Sequence, residues 1–314
     1  MSKAPGKSHR EGISIMELTD LFPDEPSAVA WFEAIRWANG RFCGHCGSTE
    51  TSEVPNAKPM PYWCKGCRSY FSVRTGTSIE KSRLKLRKWV FAIYLEATSL
   101  KGVSSMKLHR DLNVTQKTAW YMLHRIRESF ALGSGPTFAG PVEADETFIG
   151  GVRKNMSKEK RRALKGAGTG HVGKTIVAGV RDRATNRVSA GIVPDTTGET
   201  LTAFVESRTE PDATVYTDEH SAYLGLRRPH EAVRHSAGEY VRDDAHTQGI
   251  ESFWAMLKRA HKGVYHKISP KHLQRYVDQF AGKHNMRDDD TLDQMRAVVA
   301  GMEGKRLSYR QLIT

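Results

Sequence analysis

The sequence has little of what membrane-spanning or exported proteins need. No apolar run in its 314 residues exceeds a few positions, and residues 1–12 are polar, without a hydrophobic signal stretch. Acidic residues are in deficit, because 35 of them face 48 lysines and arginines and leave a formal net charge of +13. Hydrophobic residues make up 39% of the chain, which excludes wholesale disorder. We therefore expect a soluble cytoplasmic protein whose first candidate partner is a polyanion.

Cysteine is scarce and confined to one segment. All four cysteines belong to two Cys-x-x-Cys pairs whose separation is typical of zinc ribbons: Cys43, Cys46, Cys64 and Cys67. Four thiolates can close a tetrahedral shell around one zinc ion, and such a site is structural because no position stays open for water. The alternative is a pair of disulfides, which requires an oxidising compartment that nothing in residues 1–12 indicates. Aromatic side chains near the second pair can cover so small a ribbon, namely Tyr62, Trp63, Tyr70 and Phe71.

Apolar residues recur at helical spacing on both sides of the ribbon. Before it, the spacing predicts a helix over 15–21 and a second helix that begins near Asp24. After it, residues 81–127 carry eleven basic residues against two acids and show three helical patterns in the order of a helix-turn-helix. The third pattern runs from Thr115 to Ile126, and its candidates for meeting bases or phosphates are Gln116, Lys117, Tyr121, His124 and Arg125. The alternative is an ordinary three-helix packing with a solvated basic face.

The second half of the chain changes character after a segment rich in glycine and proline. Strand patterns come first and helical patterns dominate from Thr247 onward, which predicts an α/β or α+β domain. The predicted organisation is an N-terminal helical segment (1–40), a zinc ribbon (41–79), a helix-turn-helix-like segment (80–132), a linker (133–141), the α/β domain (142–290) and a C-terminal helical tail (291–314).

Three acidic residues of the α/β domain stand where acids are costly or functional. Asp145 lies within a predicted strand, and Asp218 follows the end of another, where α/β sheets usually build their sites. Glu251 opens a helix whose polar side also carries Lys258 two turns later. Carboxylates so arranged suit two magnesium ions that assist phosphodiester displacement. The alternative is that they are three unrelated surface carboxylates.

A glycine-rich basic segment follows the first acid. Residues 151–174 hold eight basic residues against one acid, and those predicted to contact DNA are Lys154, Lys160, Arg161 and Arg162. A merely solvated loop is the alternative. The segment lacks the lysine followed by serine or threonine that a P-loop requires, so an ATP site is rejected. Trp254 is interpreted as a core residue in preference to one that stacks on an unpaired base.

Several stretches together resemble one family. They are YWCKGCRSYFSVRTGTS (62–78), VEADETFIGG (142–151), VYTDEHSAY (215–223) and HTQGIESFWAMLKR (246–259). Together with the Cys-x-x-Cys pair that precedes them, these stretches resemble the zinc-ribbon group of bacterial insertion-sequence transposases. The resemblance covers most of the chain, from about Phe42 to Arg287.

The resemblance implies a ribonuclease H-like catalytic domain with a DDE-type triad. In this sequence the triad is Asp145, Asp218 and Glu251, accompanied by Lys258, with Mg²⁺ or Mn²⁺ as the catalytic ions. Some relatives use another third ligand, so Gln248 and His246 remain alternatives to Glu251. The implied activity is cleavage at the inverted-repeat ends of a mobile element and strand transfer into target DNA, carried out by a dimer or larger assembly in the nucleoid. The alternatives are a nuclease without strand transfer and a DNA-binding regulator with an inactive catalytic domain.

Overall fold

The computed structural model describes residues 10–131, 137–151, 155–164, 172–232 and 247–314. Its helices are α1 (Ile15–Leu21), α2 (Glu25–Arg36), α3 (Leu86–Thr98), α4 (Ser105–Leu112), α5 (Gln116–Glu128), α6 (Lys158–Ala163), α7 (Gly198–Glu206), α8 (Gln248–Ala260), α9 (Pro270–Asn285), α10 (Thr291–Ala300) and α11 (Tyr309–Ile313). Its strands are β1 (Thr51–Glu53), β2 (Tyr62–Cys64), β3 (Ser69–Phe71), β4 (Val142–Ile149), β5 (Thr175–Asp182), β6 (Val188–Val193), β7 (Val215–Thr217) and β8 (His230–Ala232). No helix among the described residues has the length and apolar character needed to cross a bilayer.

The described residues form two compact units. The first contains residues 10–131 and 286–314, and the second contains residues 137–285. Each unit has its own hydrophobic core.

The first unit is mainly helical, and its helices begin where the sequence predicts. Ser14 caps α1, and Asp24 caps α2 by accepting the backbone N–H of Ser27 at 2.9 Å. The apolar faces of α1 to α5 meet in one core, which includes the fully buried Leu18, Ile93 and Leu108. The predicted three-helix succession after the ribbon is confirmed as α3, α4 and α5.

The C-terminal part of the chain returns to the core of the first unit. Met295, Val298 and Val299 of α10 are buried against α2 and α3. Residues 286–290 belong to this first unit, whereas the sequence predicts them at the end of the α/β domain. Residues this far apart in the chain leave no local pattern that reveals such packing.

The cysteine segment folds as a small antiparallel sheet in the order β1-β2-β3. Trp63 and Tyr70 pair across β2 and β3, with their rings edge to face and their centroids 4.6 Å apart. On the other side Phe71 is fully buried and lies near Trp37, which α2 leads into. The predicted aromatic cover of the ribbon is therefore present on both faces.

The second unit is built on a five-stranded sheet in the order β6-β5-β4-β7-β8. β5 is antiparallel to both of its neighbours, β4 and β6, whereas β7 is parallel to both β4 and β8. One face of the sheet packs on α7, and the other packs on α8 and α9. β8 is too short to show a pattern and is not predicted from the sequence, whereas the strands β4 to β7 are confirmed.

Helix α9 covers the outer edge of the sheet. The side chains of Gln274 and Asn285 accept the backbone N–H groups of Ile192 and Val188 on β6 at 2.8 and 2.7 Å. These hydrogen bonds occupy edge groups that would otherwise invite pairing with another chain. The same hydrogen bonds hold α9 against β6.

Candidate metal centres and active site

The four cysteine sulfurs converge on one point. Their Sγ atoms all lie within 4.8 Å of one another, and the distances from Cys43 to Cys67 and from Cys46 to Cys64 are both 3.7 Å. Ligands at about 2.3 Å from a zinc ion in tetrahedral geometry stand about 3.8 Å apart, so the set fits Zn²⁺. Gly47 allows the turn after the first pair because its φ of +78° is unfavourable for other residues.

The surroundings of Cys43 and Cys64 shift the pKa values of the two thiols in opposite directions. Burial raises the pKa of Cys43 to about 12, whereas the backbone N–H of Cys67 lowers the pKa of Cys64 to about 7. A zinc ion binds thiolates, so its binding must displace protons from the buried thiols. The cluster therefore has the donors and the spacing of a closed structural site.

The β4–β7 pairing brings two of the predicted acids together. Val142 pairs with Val215 and Glu143 with Tyr216 in parallel register, and continuing this register places Asp145 beside Asp218, immediately after β7. Adjacent strands lie about 4.8 Å apart, so the two residues are neighbours at the same height of the sheet. The backbone N–H of His220 donates to Asp218 Oδ1 at 3.0 Å and fixes this carboxylate just beyond the strand.

Asp145 lies in an acidic and partly buried environment. Burial raises the pKa of its carboxyl group to about 8, and the negative charges of Glu146, Asp218 and Glu251 act in the same direction. The negative charge of Glu251 therefore contributes to the raised pKa of Asp145, although the two residues are far apart in the chain. A carboxyl group in such surroundings is stabilised as an anion by a bound cation, so the set has the chemistry of a divalent-ion site.

The spacing of the acids differs from that of the cysteines. Among the described residues, the cysteines are the one set of three or more potential ligands with all donor atoms within 4.8 Å. At least one pair among the oxygens of Asp145, Asp218 and Glu251 therefore lies farther apart than that. Two ions about 3.5 to 4 Å apart need carboxylates spread over a wider site than one zinc ion does.

Alternation along β4 separates Asp145 from Glu146. Glu146 points to the opposite face, where its Oε2 accepts the hydroxyl of buried Tyr223 at 2.7 Å. Burial and the neighbouring acids raise the pKa of Tyr223, so this hydroxyl stays a donor. Nothing in the local sequence pattern marks Tyr223 as a support for Glu146.

Helix α8 presents its acid and its lysine on one exposed side. The predicted polar side is confirmed, because the opposite side of the helix, with Ile250, Phe253 and Leu257, is buried. Glu251 and Lys258 are both exposed, and the Thr247 hydroxyl donates to Glu251 Oε1 at 3.2 Å. Gln248, an alternative third ligand, is also exposed in the first turn of α8, whereas His246 lies outside the described residues.

Glu143 fixes helix α8 to the sheet. Its side chain is fully buried; Oε2 accepts the N–H of Ile250 at 2.8 Å, and Oε1 pairs with Arg181 and Arg183 at 2.9 and 3.0 Å. Glu143 thus connects β4 to the helix that carries Glu251. The carboxylate thus joins two arginines of the sheet region to the first turn of α8, where the N-terminus of a helix favours an acidic partner.

Close packing under α8 depends on two glycines. Gly179 pairs with Asp145 across β4 and β5, and a Cβ atom there would lie 2.7 Å from the Trp254 ring. A Cβ atom on Gly249 would lie 2.0 Å from the Arg181 guanidinium. Trp254 is 3% exposed, which agrees with its interpretation as a core residue.

Replacing Glu143 with glutamine should loosen this attachment. The amide leaves Arg181 and Arg183 beside a neutral group, so we expect the free energy of unfolding to fall by about 3 kcal/mol or more. Urea unfolding followed by circular dichroism measures the loss. Glu210→Gln is the matched control, because Glu210 is an exposed glutamate of the same unit. Equal stability of the two variants would contradict the anchoring role of Glu143.

The predicted DNA-binding residues fall into distinct groups. On α5, Gln116 and Lys117 are exposed, Tyr121 is half-buried, and Arg125 and His124 are buried. Arg161 and Arg162 are exposed on α6, and Lys160 belongs to the same helix. Lys154 lies outside the described residues. These contacts with DNA stay predictions.

Comparison with known proteins identifies the family. The model of the ISXO2-like transposase domain matches residues 137–285, and the model of the transposase zinc-ribbon domain matches residues 23–70. A protein of Halobacterium salinarum, described as an uncharacterized protein in transposable element ISH50, is 30% identical over 256 residues, which cover 77% of this chain and 86% of the relative. The chain belongs to the ISXO2-like transposases.

The family assignment and the geometry fall on the same residues. The zinc-ribbon match includes all four cysteines, and the match to the transposase domain includes Asp145, Asp218, Glu251 and Lys258. This transposase therefore has a zinc ribbon followed by a mixed α/β domain, and its family implies action on DNA with a divalent metal. The predicted family and the predicted zinc-ribbon type are confirmed.

Proposed function

We propose that this transposase binds the inverted-repeat ends of its own insertion sequence, cleaves at their 3′ ends and transfers those ends to target DNA. The observation that carries the proposal is the neighbouring position of Asp145 and Asp218 on parallel strands, with the charge of Glu251 acting on Asp145. Carboxylates from two strands and one helix thereby share one side of the sheet. We also propose the ribonuclease H-like fold on the strength of this mixed sheet.

Asp145, Asp218 and Glu251 are the residues that would hold the catalytic ions. When bound, a pair of Mg²⁺ or Mn²⁺ ions would activate the attacking oxygen and stabilise the leaving oxygen of the phosphodiester. The raised pKa of Asp145 and the charges of its neighbours support this assignment, since so many acids close together favour a divalent cation. Glu251 is preferred over Gln248 because a carboxylate is the stronger magnesium ligand.

Other residues of the chain would position the DNA and neutralise its charge. Lys258 lies two turns after Glu251 on the exposed side of α8, where its ammonium group suits a phosphate near the scissile bond. The hydrogen bond of Tyr223 to Glu146 and the attachment of α8 through Glu143 hold the surroundings in place. Gln116 and Lys117 on α5, together with Arg161 and Arg162 on α6, are proposed to contact the element ends. Because two ends must be joined to one target, the working species is proposed to be a dimer or larger assembly on DNA.

A joining assay tests the proposal. The full chain, loaded with zinc, is mixed with Mg²⁺, a labelled duplex that carries the element end with a preformed 3′ hydroxyl, and a plasmid target. Transfer of the label to the plasmid is expected. Cleavage without joining would instead indicate a nuclease, and end binding without either reaction would indicate a regulator with an inactive catalytic domain; both results contradict strand transfer.

A further inference from the structure

The C-terminal segment, residues 302–314, lies on the helix predicted to bind DNA. The Tyr121 hydroxyl donates to the carbonyl of Leu307 at 2.7 Å, and Arg125 Nε donates to the same carbonyl at 3.3 Å. The Tyr309 ring meets the Tyr121 ring edge to face, with their centroids 5.5 Å apart. Lys117 Nζ lies 4.6 Å from the centre of the Tyr309 ring. The segment therefore contacts three of the five α5 residues predicted to meet DNA, and it accounts for the burial of Arg125.

The segment is fixed in place on both sides of this contact. Met302, Leu307 and Leu312 are buried, with exposures of 1%, 3% and 0%. The backbone N–H of Ser78 donates to Met302, and that of Gly304 donates to Gly76, at 3.0 and 2.9 Å. Side chains that are this well buried tie the segment to the helical unit. It is a constant part of the surface around α5 and not a loosely attached cover.

The charge of the segment has the sign that suits DNA. The segment contains Lys305, Arg306 and Arg310 against one acid, Glu303, which pairs with Arg36. Arg306 and Arg310 are exposed, while Lys305 donates to the carbonyl of Ala131 at 3.0 Å. A segment that kept DNA away by imitating it would be acidic. This one adds positive charge beside Lys117, so it extends the basic surface of α5.

A cleft of about 280 Å³ lies between α5, the turn at residues 77–81 and the segment. Basic groups in its lining come from all three parts, namely Lys81, Arg125 and Arg306, and one acid, Glu80, is among them. The Ser78 hydroxyl in the same lining is buried and has no hydrogen-bond partner among the described residues. Cations and a free hydroxyl donor are the groups that a phosphate oxygen accepts from.

We propose that residues 304–314 and α5 form one composite surface that binds the backbone phosphates of duplex DNA, with Arg306 and Arg310 contacting phosphates. This inference rests on the proposed function and extends it to a segment outside the predicted DNA-binding residues. Without the segment, Arg125 would be exposed on α5 and could contact DNA. In the folded unit Arg125 instead holds the segment in place, and the exposed arginines of the segment supply the phosphate contacts.

The salt dependence of DNA binding tests the composite surface. The full-length, zinc-loaded protein binds a fluorescent duplex containing the element end, and anisotropy gives the Kd over a series of salt concentrations. For Arg306→Ala/Arg310→Ala we expect Kd to rise about tenfold or more and the slope of log Kd against log salt to fall by about 2. Arg296→Ala is the matched control, because Arg296 is an exposed arginine on α10 of the same unit, and its slope should stay at the wild-type value.

The outcomes separate this inference from the proposed function. Wild-type affinity and slope in the double variant would overturn the composite surface, and so would tighter binding, which would mean that the segment masks α5. In both cases the wild type still binds and joins ends, so the proposed function stands. A wild type that binds no duplex overturns both. Since both arginines are exposed, unchanged circular dichroism is expected and shows that the variant is folded.

Discussion

Replacing Asp145 with asparagine is expected to abolish cleavage and joining while it stabilises the metal-free protein. Asparagine keeps the shape of the side chain but removes the charge that would hold the divalent ions. We expect the rate of end cleavage to fall at least about a thousandfold, which corresponds to about 4 kcal/mol of barrier. Binding to the element end should persist, because Asp145 belongs to a different compact unit from α5 and the ribbon. Cleavage and joining assays, with anisotropy on the same duplex, measure both effects.

The gain in stability has a defined pH dependence. The pKa of Asp145 is about 8 in the folded protein, whereas an aspartate in an unfolded chain titrates near about 3.9. The folded state therefore holds the proton more tightly, and this contribution is complete below about pH 4 and is lost as pH rises through 8. Asparagine stays neutral at every pH, so the Asp145→Asn variant does not lose this stability as the pH rises. The variant should thus exceed the wild type in unfolding free energy by a margin that grows from pH 5 to pH 8, to the order of a few kcal/mol.

Magnesium should reverse the order of stability. Ions that bind the folded wild type stabilise it by mass action, and the variant lacks the central ligand. Thermal unfolding with and without Mg²⁺ at pH 8 makes the comparison. Asp212→Asn is the matched control, because Asp212 is an exposed aspartate of the same unit, and it should behave as wild type under all conditions. Normal cleavage by Asp145→Asn in Mg²⁺ would remove Asp145 from the catalytic site.

Local spacing in the sequence predicts a large part of this molecule. The apolar residues of α8 recur at the helical period, so its buried stripe and its exposed Glu251 and Lys258 could be predicted without coordinates. The two Cys-x-x-Cys pairs predict the ribbon because four thiols at that spacing have few other uses. In both cases the information lies within residues close together in the chain.

Contacts between distant segments could not be predicted in this way. Arg125 is a basic residue on a helix predicted to bind DNA, but its exposure depends on Leu307, which arrives from the other end of the sequence. Glu143 could be placed on the same face as Asp145 by alternation, yet its partners Arg181 and Ile250 depend on how β5 and α8 pack. Period and propensity describe one element at a time, whereas these roles arise from pairs of elements.

Removing one zinc ligand is expected to have the second large effect. Cys64→Ser should lower the zinc content from one ion per chain to none, because Cys64 is buried and the other three sulfurs then face a neutral hydroxyl. Structural zinc contributes about 10 kcal/mol or more to a small metal domain, so the ribbon should unfold and end binding should be lost. His45→Ala is the control: His45 lies between two of the ligands but outside the cluster, so it should keep its zinc. Elemental analysis measures the zinc content of both variants, and anisotropy measures their binding to the element end.

The ribbon and the acids lie in different compact units, so Cys64→Ser should leave the pH-dependent stability of the second unit unchanged. Full zinc content in Cys64→Ser would contradict the four-thiolate site.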